Sequence, residues 1–109
     1  MRVTFKTKKL QKLCEQEHSA IRALGRDCAM KLKRRLDDIL DADSVQELRA
    51  GHPHPLKGDR TGQFALDLHG GKRLLFESDQ NPTPVRTDGS IDWSQITQVR
   101  IVFIGDYHD

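Results

Sequence analysis

Hydrophobic and polar positions along the chain change period several times, and each change marks an element. Val3 and Phe5 alternate with Thr4 and Lys6, the period of a short first strand. From Thr7 the spacing lengthens. Leu10, Leu13 and Cys14 share one helical face, and Ile21, Leu24, Cys28, Leu32, Leu36, Ile39 and Leu40 follow at steps of three or four. This predicts a helical hairpin or a bent pair of helices, with Gly25 as the break. Asp37, Asp38 and Asp41 crowd the carboxyl end, where negative charge opposes the helix dipole, so the helix should stop near Asp41. Ser44-Val45-Gln46-Glu47 reads as a capping box for one short turn.

Gly51-His52-Pro53-His54-Pro55 forbids further helix, because each proline pushes its predecessor towards extended backbone. Phe64, Leu66 and Leu68 alternate with Ala65, Asp67 and His69, as in a half-buried strand. Gly70-Gly71 supplies the positive φ angles of a tight hairpin turn, and Leu74-Leu75-Phe76 makes the returning strand. Residues 78–95 carry no strand pattern and read as a loop well beyond ordinary hairpin length. Val99 to Ile104 is the most strand-prone run, expected to be central and buried on both faces. The order is β-α-α-β-β-β: an α+β domain spanning residues 1–109, with two helices packed on a short antiparallel sheet.

Composition adds limits. At 109 residues the chain supports one modest core, and its 31% charged content suits a soluble globular protein. The amino end lacks the apolar run of a signal peptide, and no stretch approaches the roughly 20 apolar residues of a membrane span. A cytoplasmic, bacterial protein with no membrane association is expected. Cys14 and Cys28 lie in phase with leucines and read as small core residues, not a disulfide or a zinc site. The net charge of +2 hides an asymmetry: residues 1–36 carry +8 and residues 37–109 carry −6. A basic half of this strength fits contact with a polyanion, although such charge runs commonly do no more than solvate a helix face.

Candidate chemistry concentrates in two places: His54-Pro55-Leu56-Lys57-Gly58-Asp59-Arg60, leading into the strands that carry Lys72-Arg73-Leu74-Leu75-Phe76, and the terminal Asp106-Tyr107-His108. Together these motifs, with the element order, resemble the RelE/ParE superfamily of bacterial toxins, in particular its HigB-type killer branch. The resemblance covers nearly the whole chain. It implies the toxin of a type II toxin–antitoxin pair, an endoribonuclease that cleaves messenger RNA on the ribosome without a metal or other cofactor. It implies a catalytic set of His54, Asp106, Tyr107 and His108, with Lys57 and Arg73 as phosphate-binding cations. Arg60 either joins them or closes the turn with Asp59. The implied partners are a helix-turn-helix antitoxin of the HigA kind, the ribosome and mRNA, with a homodimer or toxin–antitoxin hetero-oligomer as the assembly. No helix-turn-helix region is legible in this chain, which therefore reads as the toxin. Two features depart from the family: the length of the 78–95 segment, and an Asp-Tyr-His motif followed only by Asp109.

The residues suit that chemistry. RNA carries its own nucleophile, so cleavage needs removal of the 2′-hydroxyl proton, protonation of the leaving 5′-oxygen and stabilisation of a dianionic phosphorane. Histidine, with an ordinary pKa of about 6.5, serves either proton transfer, which leaves the roles of His54 and His108 open. Asp106 would orient an imidazole, Tyr107 would stack on a base or reach a phosphate oxygen, and Arg73 and Lys57 would hold the scissile phosphate. His52 and His69 read as exposed surface residues, and Ile91, Trp93 and Ile96 as the pins of the long loop. Two rivals remain. One is a ParE-like toxin acting by protein contact on gyrase. The other is a metal site from His52, His54, His108 and Asp106, disfavoured because Pro53 should splay the two imidazoles.

Overall fold

The structure is a computed structural model, and it describes residues 1–106. Five strands form one sheet in the order β1-β5-β4-β3-β2: β1 is Arg2–Phe5, β2 His54–Pro55, β3 Gln63–Asp67, β4 Lys72–Ser78 and β5 Gln98–Asp106. The α+β class is as expected, while the succession of elements gains a short edge strand, β2, in the segment read as an extended connector. The sheet is mixed rather than antiparallel throughout, because β1 lies parallel to β5, with Val3 opposite Val99 and Phe5 opposite Ile101. The remaining pairs are antiparallel.

Three helices, not two, precede the sheet's main body: α1 (Lys8–Glu15), α2 (Glu17–Leu24) and α3 (Arg26–Asp41). Gly25 breaks the chain as predicted, and α3 stops at Asp41. The additional break is at Gln16, which has extended backbone (φ −121°, ψ 108°). The cause is a gap in the apolar stripe. After Cys14 a continuing helix would place its next inward positions at 17 and 18, which are Glu17 and His18, so the chain re-phases to bury Ala20 instead. Thr7 caps α1 through its hydroxyl, which accepts from the Leu10 N–H. The Met1 amino group donates to the carbonyls of Ile39, Leu40 and Ala42, putting positive charge where the α3 dipole and its aspartates are negative. The 3-10 turn Val45–Glu47 follows, with the Glu47 carboxylate accepting from the Ser44 N–H.

Alternation along the strands sorts side chains onto two faces. Phe64, Leu66, Leu74, Phe76, Val99 and Ile101 meet Cys28, Leu32, Leu36 and Ile39 of α3 in the main core. The opposite face carries a second, smaller cluster of Leu56, Ala65 and Leu75 with Val102 and Phe103. The middle of β3 is therefore buried on both sides, Ala65 included, where the alternation suggested one. The inverse holds for β5. It is internal to the sheet, but Arg100 on its outer side stays half-exposed and pairs with Glu77 of β4. A bulge opposite Leu75 and Phe76 shifts the register so that Phe103 faces the outer cluster.

The His69–Gly71 turn joins β3 to β4, with Gly70 and Gly71 at positive φ as expected. The segment after β4 departs most from expectation. Val85 bridges Ile91, the Arg86 N–H donates to the Ser90 carbonyl (2.7 Å) and the Gly89 N–H to the Arg86 carbonyl (2.9 Å). This is a small β-hairpin whose turn ends in a left-handed glycine (Gly89, φ 88°). Its base is braced twice. The Gln80 side chain bonds the backbone of Gln95, Thr97 and Gln98. Trp93 packs on Phe64 (ring centroids 4.9 Å apart) beside the fully buried Ile96. The expected pinning by Ile91, Trp93 and Ile96 is observed.

Candidate functional site

The outer face of the sheet gathers three of the sequence-predicted site residues, His54, Arg60 and Arg73. Cross-strand register places His54 opposite Ala65, and Asp67 opposite Arg73, on this face. Arg73 donates from Nε to Asp67 Oδ1 at 2.9 Å. Arg60 ends the Gly58–Arg60 turn, donates to the Gln63 side chain (3.1 Å) and lays its guanidinium 5.2 Å from the Phe103 ring centre. Lys57 is exposed at the start of that turn. The backbones of His54 and Arg73 lie two strands apart and two residues out of register, about 12 Å from one another. A half-buried face with two guanidinium groups beside an apolar patch suits a phosphodiester, whose oxygens match the planar fork of arginine.

His54 is the most constrained member. Its Nδ1 lies 2.7 Å from the His52 carbonyl oxygen. A carbonyl only accepts, so Nδ1 carries the proton, and in the neutral ring Nε2 holds the free lone pair. The carbonyl reaches that position because His52 adopts left-handed backbone (φ 49°) in place of the extended geometry expected before Pro53. The same turn corrects the anticipated splaying of the imidazoles: the rings of His52 and His54 are 4.6 Å apart. Gly51 makes the turn possible. A Cβ there would come within 3.1 Å of Arg35 Cδ and 3.3 Å of the Asp67 carbonyl, while its own carbonyl accepts the Asp67 N–H at 2.7 Å.

Asp67 is the residue that sequence reasoning passed over. It binds Arg73 and lies 3.7 Å from His52 Nδ1, so one carboxylate links the histidine segment to the arginine. The signal was present: in a hairpin closed at Gly70-Gly71, an outward Asp67 falls directly across from Arg73.

Asp106 stands elsewhere among the described residues. It pairs with Lys72, one position beyond Gly105 and Arg73, and so alternates to the helix-bearing face. Burial pushes the Cys28 thiol up, a hydrogen bond from the His69 backbone and the Lys72 charge pull it down, and Asp106 raises it again. Tyr107 and His108 lie outside the described residues. Among the described residues no three His, Cys, Asp or Glu side chains converge as metal ligands, and no helix is long and apolar enough to cross a membrane.

No family model matches the sequence, and no curated protein matches it either. Solved structures do match in three dimensions. A YoeB/ParE toxin from Agrobacterium tumefaciens superposes with a TM-score of 0.61 at 10% identity, covering 99% of this chain and 100% of that one. The YoeB dimer of Staphylococcus aureus gives 0.60 at 16% identity, and the YoeB–YefM complex from the same organism gives 0.59 at 16%, each covering 100% of this chain and 98% of the other. The chain has the fold of these toxins. At such identities the likeness concerns backbone architecture, and the side chains of the candidate site must be argued on their own.

Proposed function

We propose that the chain is the toxin of a type II toxin–antitoxin pair and cleaves messenger RNA on the ribosome by metal-independent attack of the 2′-hydroxyl on the adjacent phosphate. The observation that carries the reading is the fixed tautomer of His54: Nδ1–H held by the His52 carbonyl, Nε2 free to accept a proton. In the reaction, Nε2 takes the 2′-hydroxyl proton as the 2′-oxygen bonds to phosphorus. Arg73, with Arg60 and Lys57, neutralises the phosphorane, and the P–O5′ bond breaks. His108 donates a proton to the leaving oxygen, yielding a 2′,3′-cyclic phosphate and a 5′-hydroxyl. Tyr107 serves to stack on a base of the bound strand, while Asp106, turned to the helix-bearing face, takes no part in the step at His54. The basic face of α3, with Arg26, Lys33 and Arg34 exposed, provides the grip on ribosomal RNA.

A helix-turn-helix antitoxin of the HigA kind is the proposed partner. The heterotetrameric YoeB–YefM assembly of Staphylococcus aureus offers a precedent for toxin bound to antitoxin on this fold. The Agrobacterium tumefaciens structure also bears the ParE name, which supports a second reading: a toxin acting by protein contact on gyrase. The decisive experiment incubates the purified chain with ribosomes and mRNA, with and without EDTA, and maps ends by primer extension. Ribosome-dependent cuts that survive EDTA and vanish in His54→Ala are expected. Growth arrest by a His54→Ala variant that cuts nothing would favour the gyrase reading.

A further inference from the structure

The hairpin between β4 and β5 has no role in the reaction just described, yet it is folded and braced at its base, and it walls a groove. The groove, of about 420 Å³, runs along the edge strand β2 and is lined by Pro55, Leu56, Gly62, Arg86, Ile91 and Trp93. That volume falls in the range of small-molecule sites. Pro55 directly follows His54, so the groove begins about 3.4 Å along the strand from the candidate base, with Pro55 turned to the sheet face opposite the His54 ring. One part of Trp93 packs on Phe64 at 60°, and the ring also contributes to the groove wall. Arg86, exposed on the hairpin, forms another wall.

The charges narrow the ligand. Arg86 is flanked by Asp88 and Asp92, whose carboxylates are held in turn by Ser90 and Ser94. A guanidinium sharing its field with two carboxylates is a poor anchor for a bare phosphate. Its planar face still stacks, as an indole does, and such walls select flat aromatic rings. We propose that this groove is a nucleobase subsite, in which an unpaired base of single-stranded RNA stacks between Trp93 and Arg86 and fixes which nucleotide lies beside His54. The inference rests on the reading of the chain as an RNA-cleaving toxin, and it assigns base selection to the long segment between the last two strands.

Trp93 is the only tryptophan, so the intrinsic tryptophan fluorescence comes from the ring that walls this groove. A His54→Ala chain, which cannot cleave, is titrated with hexaadenylate and hexauridylate, and in parallel with ribose 5-phosphate and inorganic phosphate. Saturable quenching by an oligonucleotide and none by the base-free probes is expected, with affinity falling about tenfold in an added Arg86→Ala change, the scale of one lost base stack. Circular dichroism of the Arg86→Ala protein checks that the exposed substitution leaves the fold intact. Absence of quenching, equal quenching by inorganic phosphate, or indifference to Arg86→Ala in a folded protein would overturn the subsite. The two ideas fail separately. Quenching in a protein that never cuts RNA removes the nuclease reading alone, while cleavage without quenching removes the subsite alone.

Discussion

Arg73→Lys separates a catalytic cation from a sheet brace. Arg73 sits on the central strand β4 with Nε bound to Asp67 at 2.9 Å, and the two side chains are 33% and 39% exposed. At that exposure water screens the pair, and its loss costs about 0.2–1 kcal/mol of stability. In a domain of this size the melting temperature falls by roughly 4–8 °C per kcal/mol, so the variant should melt only a few degrees lower. Activity should respond far more. A charge-assisted hydrogen bond to phosphate contributes about 1.5–3 kcal/mol, which is roughly 10- to 150-fold in rate if formed fully only in the transition state. Lysine keeps the charge but loses the fork that serves Asp67 and a phosphate oxygen together, so Arg73→Lys should fall between wild type and Arg73→Ala. The assay is primer extension on ribosome-bound mRNA, with melting followed by circular dichroism on the same preparations. If both variants cleave within about twofold of wild type while melting lower, Arg73 only braces the hairpin and the phosphate assignment is wrong.

Four further outcomes are expected. His54→Ala should lose roughly 10²- to 10⁴-fold in cleavage, the contribution of a positioned base. His52→Asn, which tolerates left-handed backbone and preserves the carbonyl that holds His54, should lose little; a loss as deep as that of His54→Ala would mean that the exposed His52 ring does the chemistry. Trp93→Ala should cost about 2 kcal/mol, since the half-buried ring packs on Phe64, and should lower melting by about 10 °C; an unchanged melting curve would detach the hairpin from the core. Burial, with help from Glu15, pushes the Cys14 thiol from 9.0 up to about 12. The unfolded chain therefore loses this proton first, and stability falls as pH rises from about 9 to 12, on the order of a few kcal/mol in total. Denaturant titrations should show that slope shrink in Cys14→Ala, and an equal slope in both proteins would refute the cause.

Local pattern determined the elements. The alternation at Val3 and Phe5, the three-and-four spacing from Cys28 to Ile39, the capping box at Ser44 and the Gly70-Gly71 turn each specify backbone within a few residues of themselves, and each is found where the pattern puts it. Two local signals went unread: the polar pair Glu17 and His18 that ends α1, and the Asp88-Gly89 dipeptide that closes a hairpin within a segment taken for loop. The candidate site was legible as a list of residue types, because His54, Lys57, Arg60 and Arg73 carry their chemistry in any context. Their relation was not. That Asp67 joins Arg73 to the histidine segment, and that Asp106 turns to the other face, follow from strand register, which depends on pairing between residues far apart in sequence. The tautomer of His54 is likewise a tertiary fact. It arises because Gly51 packs against Asp67 and Arg35 and turns the His52 carbonyl back onto the ring, a contact between segments that no local pattern encodes.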